Sequence, residues 1–218
     1  MKNKIIIIFF VFSLFLSSIL LAENVSITAK NISLDKENNV SIFEDEVVVK
    51  TRNKTIQSDY AKYDRESGYL ILEKNIIITD EKNNKVFTNF VEYFEKNQII
   101  KTKGKTTIQT AERYFLEGED LFVDNTKKII KSEKKSVLTD RDGNKIYIDN
   151  FEYSVEKSLF KSVGFIEIQD VNENEYEFSQ VYIDTKKKEI IGTDSKAFIN
   201  SDNFKINKKI IQEYFLIL

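Results

Sequence analysis

Asp140, Asp142 and Gly143 come nearest to a chemical site in this chain, because Asp-x-Asp-Gly resembles the opening of a calcium loop. The later ligands of such a loop do not follow, and Asp-Gly between two extended runs is the ordinary pair of a hairpin turn. A turn is therefore the expected role. Carboxylates also crowd at Glu44, Asp45 and Glu46 and at Glu117, Glu119 and Asp120, where they read as solvated turn residues. No two of them stand out as an acid–base couple. The chain has no Cys and no His, so the usual zinc sites, thiolate nucleophiles and imidazole catalysis are out of reach. No catalytic residue, metal site or cofactor is expected, and the chain does not read as an enzyme.

What remains is pattern. The 218 residues carry a formal charge of −2 with Lys and Glu interspersed, which leaves no basic stripe to attract nucleic acid. Proline is absent, which suits long strand ladders. Asp45, Lys74, Gly104, Lys134, Gly164 and Ser195 recur about thirty residues apart. Two and four residues past each mark stand Val47/Val49, Ile76/Ile78, Thr106/Ile108, Ser136/Leu138, Ile166/Ile168 and Ala197/Ile199. A second column is Leu34, Tyr63, Phe94, Val123, Tyr153 and Ile183, followed by Asp35, Asp64, Glu95, Asp124, Ser154 and Asp184. A third is Ile27, Ile56, Phe87, Leu116, Ile146 and Tyr176. Such a period means one supersecondary unit stacked on copies of itself.

Turn residues and β-branched runs make that unit a pair of strands, so six units give about twelve. Phe87, Phe90, Val91 and Phe94 fall at helical spacing, but the repeat register favours a strand there too. The expected fold is all-β: antiparallel strands folded over into two facing sheets, V-shaped or a jellyroll. Its apolar interior lane is expected to hold Ile27, Ile56, Tyr63, Ile76, Ile78, Phe94, Ile108, Phe115, Ile146, Ile166 and Phe178. If the sheets touch everywhere, that lane is core. If they splay, it is a trough.

The ends read differently. Residues 1–22 have a basic head, an apolar run from Ile5 to Leu21 and Ala22 before Glu23, the pattern of a secretory signal peptide or an uncleaved anchor. Residues 23–206 form the repeat domain. Residues 207–218 lose both repeat and charge, and a shift of reading frame behind Asn207-Lys208-Lys209 would produce such a tail.

Four stretches resemble a known family. They are Glu44 to Val49 (Glu-x-Glu-Val-x-Val), Glu73 to Ile78 (Glu-x-Asn-Ile-x-Ile), Ser162 to Ile168, and Ile56 to Asp64 (Ile-x-Ser-Asp-x-Ala-x-Tyr-Asp). Together they are similar to the OstA/LptA-like periplasmic repeats of lipopolysaccharide transport. The family's usual Gly after Glu is replaced here by Asp45 and Lys74, and an Ala before Asp by Ser58. The resemblance implies a β-jellyroll whose trough carries the acyl chains of lipid A while sugars and phosphates stay in water. It also implies head-to-tail pairing with an LptA-like jellyroll through the first strand, here Val25, Ile27 and Ala29. The export signal leading into many repeats is most like the periplasmic part of an outer-membrane assembly protein, which would add a barrel and its lipoprotein partner.

Overall fold

The computed structural model describes residues 26–50, 54–111, 113–154, 156–184, 186–187 and 189–203. The export segment, Val25 and the tail 207–218 lie outside the described residues. β1 (Ser26–Thr28) and β2 (Asn31–Asp35) lead into four long strands: β3 (Val40–Lys50), β4 (Lys54–Asp64), β5 (Tyr69–Asp80) and β6 (Lys85–Phe94). The stretch with helical spacing is thus part of a strand. Next come β7 (Ile99–Thr102), β8 (Lys105–Gln109), β9 (Phe115–Glu119), β10 (Phe122–Asp124), β11 (Ile129–Ser132), β12 (Ser136–Thr139), β13 (Lys145–Ile148) and β14 (Phe151–Ser154). Two more long strands, β15 (Leu159–Gln169) and β16 (Glu175–Asp184), precede β17 (Glu189–Thr193) and β18 (Lys196–Phe198).

Antiparallel pairing sorts these strands into two layers. One runs β2-β3-β4-β5-β6-β7-β10-β11-β14-β15-β16-β17. The other runs β1-β3-β4-β5-β6-β8-β9-β12-β13-β15-β16-β18. The six long strands belong to both, half in each, and the short ones join end to end to do the same. The result is the expected two-sheet stack: among the described residues, twelve rungs, each folded once at a corner.

The recurring marks are those corners. Asp45 (φ 62°), Lys74 (φ 63°), Gly104 (φ 75°) and Gly164 (φ 116°) adopt left-handed backbone where the chain passes from one layer to the other. In the last repeat this role falls to Asp194 (φ 51°), one residue before the expected Ser195. The register slips at the corners, between Glu44 and Val47 on β3 and between Glu73 and Ile76 on β5. Side chains on adjacent rungs satisfy the broken pairing: Asn31 Nδ2 donates to Asp45 Oδ2 (3.1 Å), Asn75 Nδ2 to Asp59 Oδ2 (2.7 Å) and the Gly104 amide to Asp120 Oδ1 (2.8 Å). A left-handed backbone strains a residue with a Cβ, and Lys74 is exposed, so its side chain contributes little packing. Lys74→Gly is therefore expected to stabilise the fold by about 1 kcal/mol, the relieved strain being partly offset by a freer unfolded chain. A higher urea midpoint with an unchanged slope is the readout; a lower midpoint contradicts it.

The acidic column seen in the sequence builds the turns of the first layer. Asp35 accepts the amides of Glu37 and Asn38, Asp64 those of Glu66 and Ser67, Asp124 those of Thr126 and Lys127, and Asp184 those of Lys186 and Lys187. Side-chain bonds from Asn38 and Ser67, with those amides, hold Asp35 and Asp64 below the ordinary carboxylate range. Asp140 likewise makes a turn: its Oδ1 accepts the amides of Asp142 and Asn144, both at 2.9 Å.

Candidate functional site

Because each strand alternates, the inner faces of the layers carry four parallel columns of side chains. At the mouth of the second layer, Ile27, Val49, Ile56, Ile78, Val86, Ile108, Leu116, Leu138, Ile146, Ile168 and Tyr176 pair rung to rung. Facing them from the first layer run Tyr63, Leu70, Tyr93, Ile100, Val123, Ile130, Tyr153, Phe160 and Ile183. Nearer the corners the columns narrow. There Ile76, Ile166 and Phe178 share their face with Val47, Thr88, Thr106 and Ile148. The Thr106 hydroxyl is hydrogen-bonded with those of Thr102 (2.9 Å) and Thr88 (3.1 Å), donating its one proton to one of them and accepting from the other, which ties the two layers together. At Gly118 an added Cβ would lie 2.8 Å from Ser136 Oγ, so only glycine fits that approach.

Nine of the eleven expected lane residues therefore face the interior, and two do not. Phe94 and Phe115 point outward; the inward residues are their neighbours Tyr93 and Leu116. A one-residue offset moves a side chain to the opposite face of a strand, and the thirty-residue beat from Tyr63 lands on Tyr93. For the same reason Val86, not Phe87, completes its column. Outside, Phe94 packs on Tyr69 with ring centroids 4.8 Å apart and lies under the Lys101 ammonium at 5.2 Å. Partial burial makes aromatic residues costly to read, because an outward ring under a lysine stem looks the same in sequence as an inward one.

The lane is not an open trough along its length. In the central rungs Ile108, Leu116, Val123 and Ile130 have no exposed surface, so facing columns interdigitate as a packed core. A cavity of about 50 Å³ survives near the mouth between β4 and β7, lined by Ile56, Leu70, Leu72, Ile78, Val86, Val91, Tyr93 and Ile100, with Lys54 and Asp80 at its rim. Burial lowers the Lys54 pKa while the Asp80 charge opposes that shift. Burial, and then the charge of Glu95, raises that of Tyr93. The end rungs are looser: inward-facing Ile32 and Leu34 of β2 are more than half exposed, and inward-facing Ala197 of β18 is exposed as well. Among the described residues, β1 and β2 form one edge of the stack and β17 and β18 the other; Ile27 and Ala29 of the first edge are half-buried against the core.

Among the described residues no group of His, Cys, Asp or Glu is arranged to hold a metal ion. Nor is any helix there long and apolar enough to cross a membrane, which leaves strand-built membrane proteins unaddressed.

No family model and no curated protein matches the chain. Two solved structures align loosely with it. LptH, the LptA-homologous periplasmic component of the lipopolysaccharide transport device of Pseudomonas aeruginosa, is 9% identical over 82% of this chain and 96% of its own, with a TM-score of 0.23. The wild-type TCP10 domain of Danio rerio CPAP, solved with a peptide of Danio rerio STIL, is 8% identical over 81% of this chain and 100% of its own, with a TM-score of 0.14. Superpositions this loose carry no functional argument. The all-β antiparallel fold stands on this chain's own strand pairing.

Proposed function

We propose that the chain is a periplasmic lipid slide that shelters the acyl chains of lipopolysaccharide during transport to the outer membrane. The carrying observation is the pair of facing apolar columns, one from each layer, that runs beside the mouth and keeps a cavity between β4 and β7. Each methylene exposed to water costs roughly 0.8 kcal/mol, so several long chains need such a lining to cross an aqueous space. The cavity is about 50 Å³, roughly one or two waters' worth. Chains therefore enter by parting the margins of the layers, while the corner hydroxyl bonds keep the base closed. Ile27, Ile56, Tyr63, Ile76, Ile78, Ile108, Ile146, Ile166 and Phe178 are the proposed lining.

The reading extends to partners. The edge at β1, with Val25 outside the described residues, is proposed to accept a strand from an LptA-like jellyroll by backbone pairing. Within the family, the export signal and the repeat number favour the periplasmic part of LptD, with its barrel and lipoprotein as partners. A stand-alone LptA-type bridge or an anchored LptC-type version uses the same seam.

One observation favours a different reading. The filled central core is what a secreted structural β-fold without a ligand would have. A photo-crosslinker separates the two: at Ile78, on the cavity, it is expected to give lipopolysaccharide adducts in cells, and at outward Phe115 none. Absence of adducts at both Ile78 and Ile108 would favour the structural protein.

A further inference from the structure

The second layer ends in turns that repeat with unusual fidelity. Asp80, Asp140 and Asp170 each bond an asparagine four residues on, Asn84, Asn144 and Asn174, at 2.8, 2.6 and 2.8 Å. Each asparagine in turn accepts, on Oδ1, an amide of the next turn: Ala111 at 3.1 Å, Val171 at 3.0 Å and Asn200 at 3.0 Å. One repeat earlier than Asn84, that inward position is held by Lys54, the first residue of β4. A lysine cannot accept the amide bond that the asparagines accept. The repeat rule is thus broken twice: at Tyr114, whose amide bonds Thr110 in place of an aspartate, and at Lys54, where the break lies at the rim of the cavity and brings a cation.

Lys54 is only 8% exposed, its neighbours in the cavity wall include Ile56, Ile78, Tyr93 and Ile100, and its cross-strand partner is Asp80. The Asp80 carboxylate also accepts three bonds from its own turn: the amides of Lys82 (2.9 Å) and Asn84 (2.8 Å) and the Asn84 side chain (2.8 Å). Asp80 therefore stays hydrogen-bonded even when the ammonium turns to another anion. A buried cation is expensive to maintain for stability alone, and departures from a local rule cluster at sites that do work.

We propose that Lys54 is the cation that recognises the phosphorylated head of an acyl lipid whose tail enters the cavity between β4 and β7. This rests on the seam reading above. A compact ammonium suits a phosphate oxygen as a point charge, and the lining places the tail on the other side of the same rim. The first repeat is thereby a loading position, distinct from the later ones, which carry Asn84, Tyr114, Asn144 and Asn174 and no cation.

The test compares two probes with the same tail, dodecyl phosphate and dodecyl maltoside, by titration calorimetry on the folded chain, with inorganic phosphate as a third. Wild type is expected to bind dodecyl phosphate about tenfold more tightly than the maltoside, the order expected for a hydrogen bond to a charged group. Lys54→Asn, which installs the residue found at Asn84, Asn144 and Asn174 and so is expected to fold, should lose that preference and bind the two amphiphiles alike. Lys54→Arg and the exposed-site control Lys145→Met should keep it. No preference in wild type, or one that survives in Lys54→Asn, overturns the proposal. Inorganic phosphate binding as tightly as dodecyl phosphate also overturns it, since the tail would then be irrelevant. If neither amphiphile binds, the seam reading itself falls, and this proposal with it.

Discussion

Leu116→Ala is expected to cost about 2–5 kcal/mol of folding stability, whereas Leu34→Ala costs less than about 0.5 kcal/mol. Both leucines belong to β-rungs of one stack and both face inward by register. Leu116, however, has no exposed surface, and its neighbours across the sheet, Ile108 and Leu138, are sealed with it. Cutting it back leaves a void lined by rigid strands on both sides, which collapse poorly. Leu34 lies on the edge strand β2 and is 58% exposed, so truncation there removes surface already in water. Urea unfolding of the two variants against wild type measures the difference. Equal costs would mean that the closed centre and the loose ends described above do not exist in solution.

That contrast was invisible in the sequence, although the stack itself was not. The thirty-residue beat gave strands, rungs and the two-layer fold because each mark lies at or beside a corner, and at Asp45, Lys74, Gly104 and Gly164 the backbone turns left-handed whatever residue is present. Asp45 and Lys74 hold that conformation as Gly104 and Gly164 do, so the register survives where the glycine signature has been lost. The interior was legible for aliphatic residues and failed for two aromatics. Ile56, Ile78, Ile108 and Ile146 keep one column, but Phe94 and Phe115 sit beside the inward Tyr93 and Leu116, and hydrophobicity alone cannot choose between adjacent positions. Splaying is another matter. Whether two apolar faces touch depends on the sizes of residues that meet across the seam. Small ones near the corners, such as Ser58, Ala61, Thr102, Gly118 and Ser132, let the layers close. Those contacts join residues that no repeat spacing relates.

Asn84, Asn144 and Asn174 are legible in the sequence as turn residues but not as links between repeats, and they carry a large effect. Asn144→Ala is expected to cost about 1–3 kcal/mol, the range for leaving buried polar groups without partners. The substitution removes the 2.6 Å bond to Asp140 Oδ2 and the acceptor of the Val171 amide at 3.0 Å, which links one repeat to the next. Asp140 is 5% exposed, so water does not readily replace the lost donor. Asn38 makes the same kind of bond to Asp35 Oδ2, at 2.7 Å, in a turn open to solvent, and Asn38→Ala is expected to cost less than about 0.5 kcal/mol. Urea midpoints of the two variants decide it. Similar losses would show that the bond counts by its chemistry alone; a large loss confined to Asn144 would show that burial of the second-layer turns sets the strength of the link between repeats. Since the Asp-to-Asn spacing recurs at Asp80, Asp140 and Asp170, that link is what holds successive rungs in step along the mouth, and Lys54 stands at the one described position of this series where a cation faces the cavity instead.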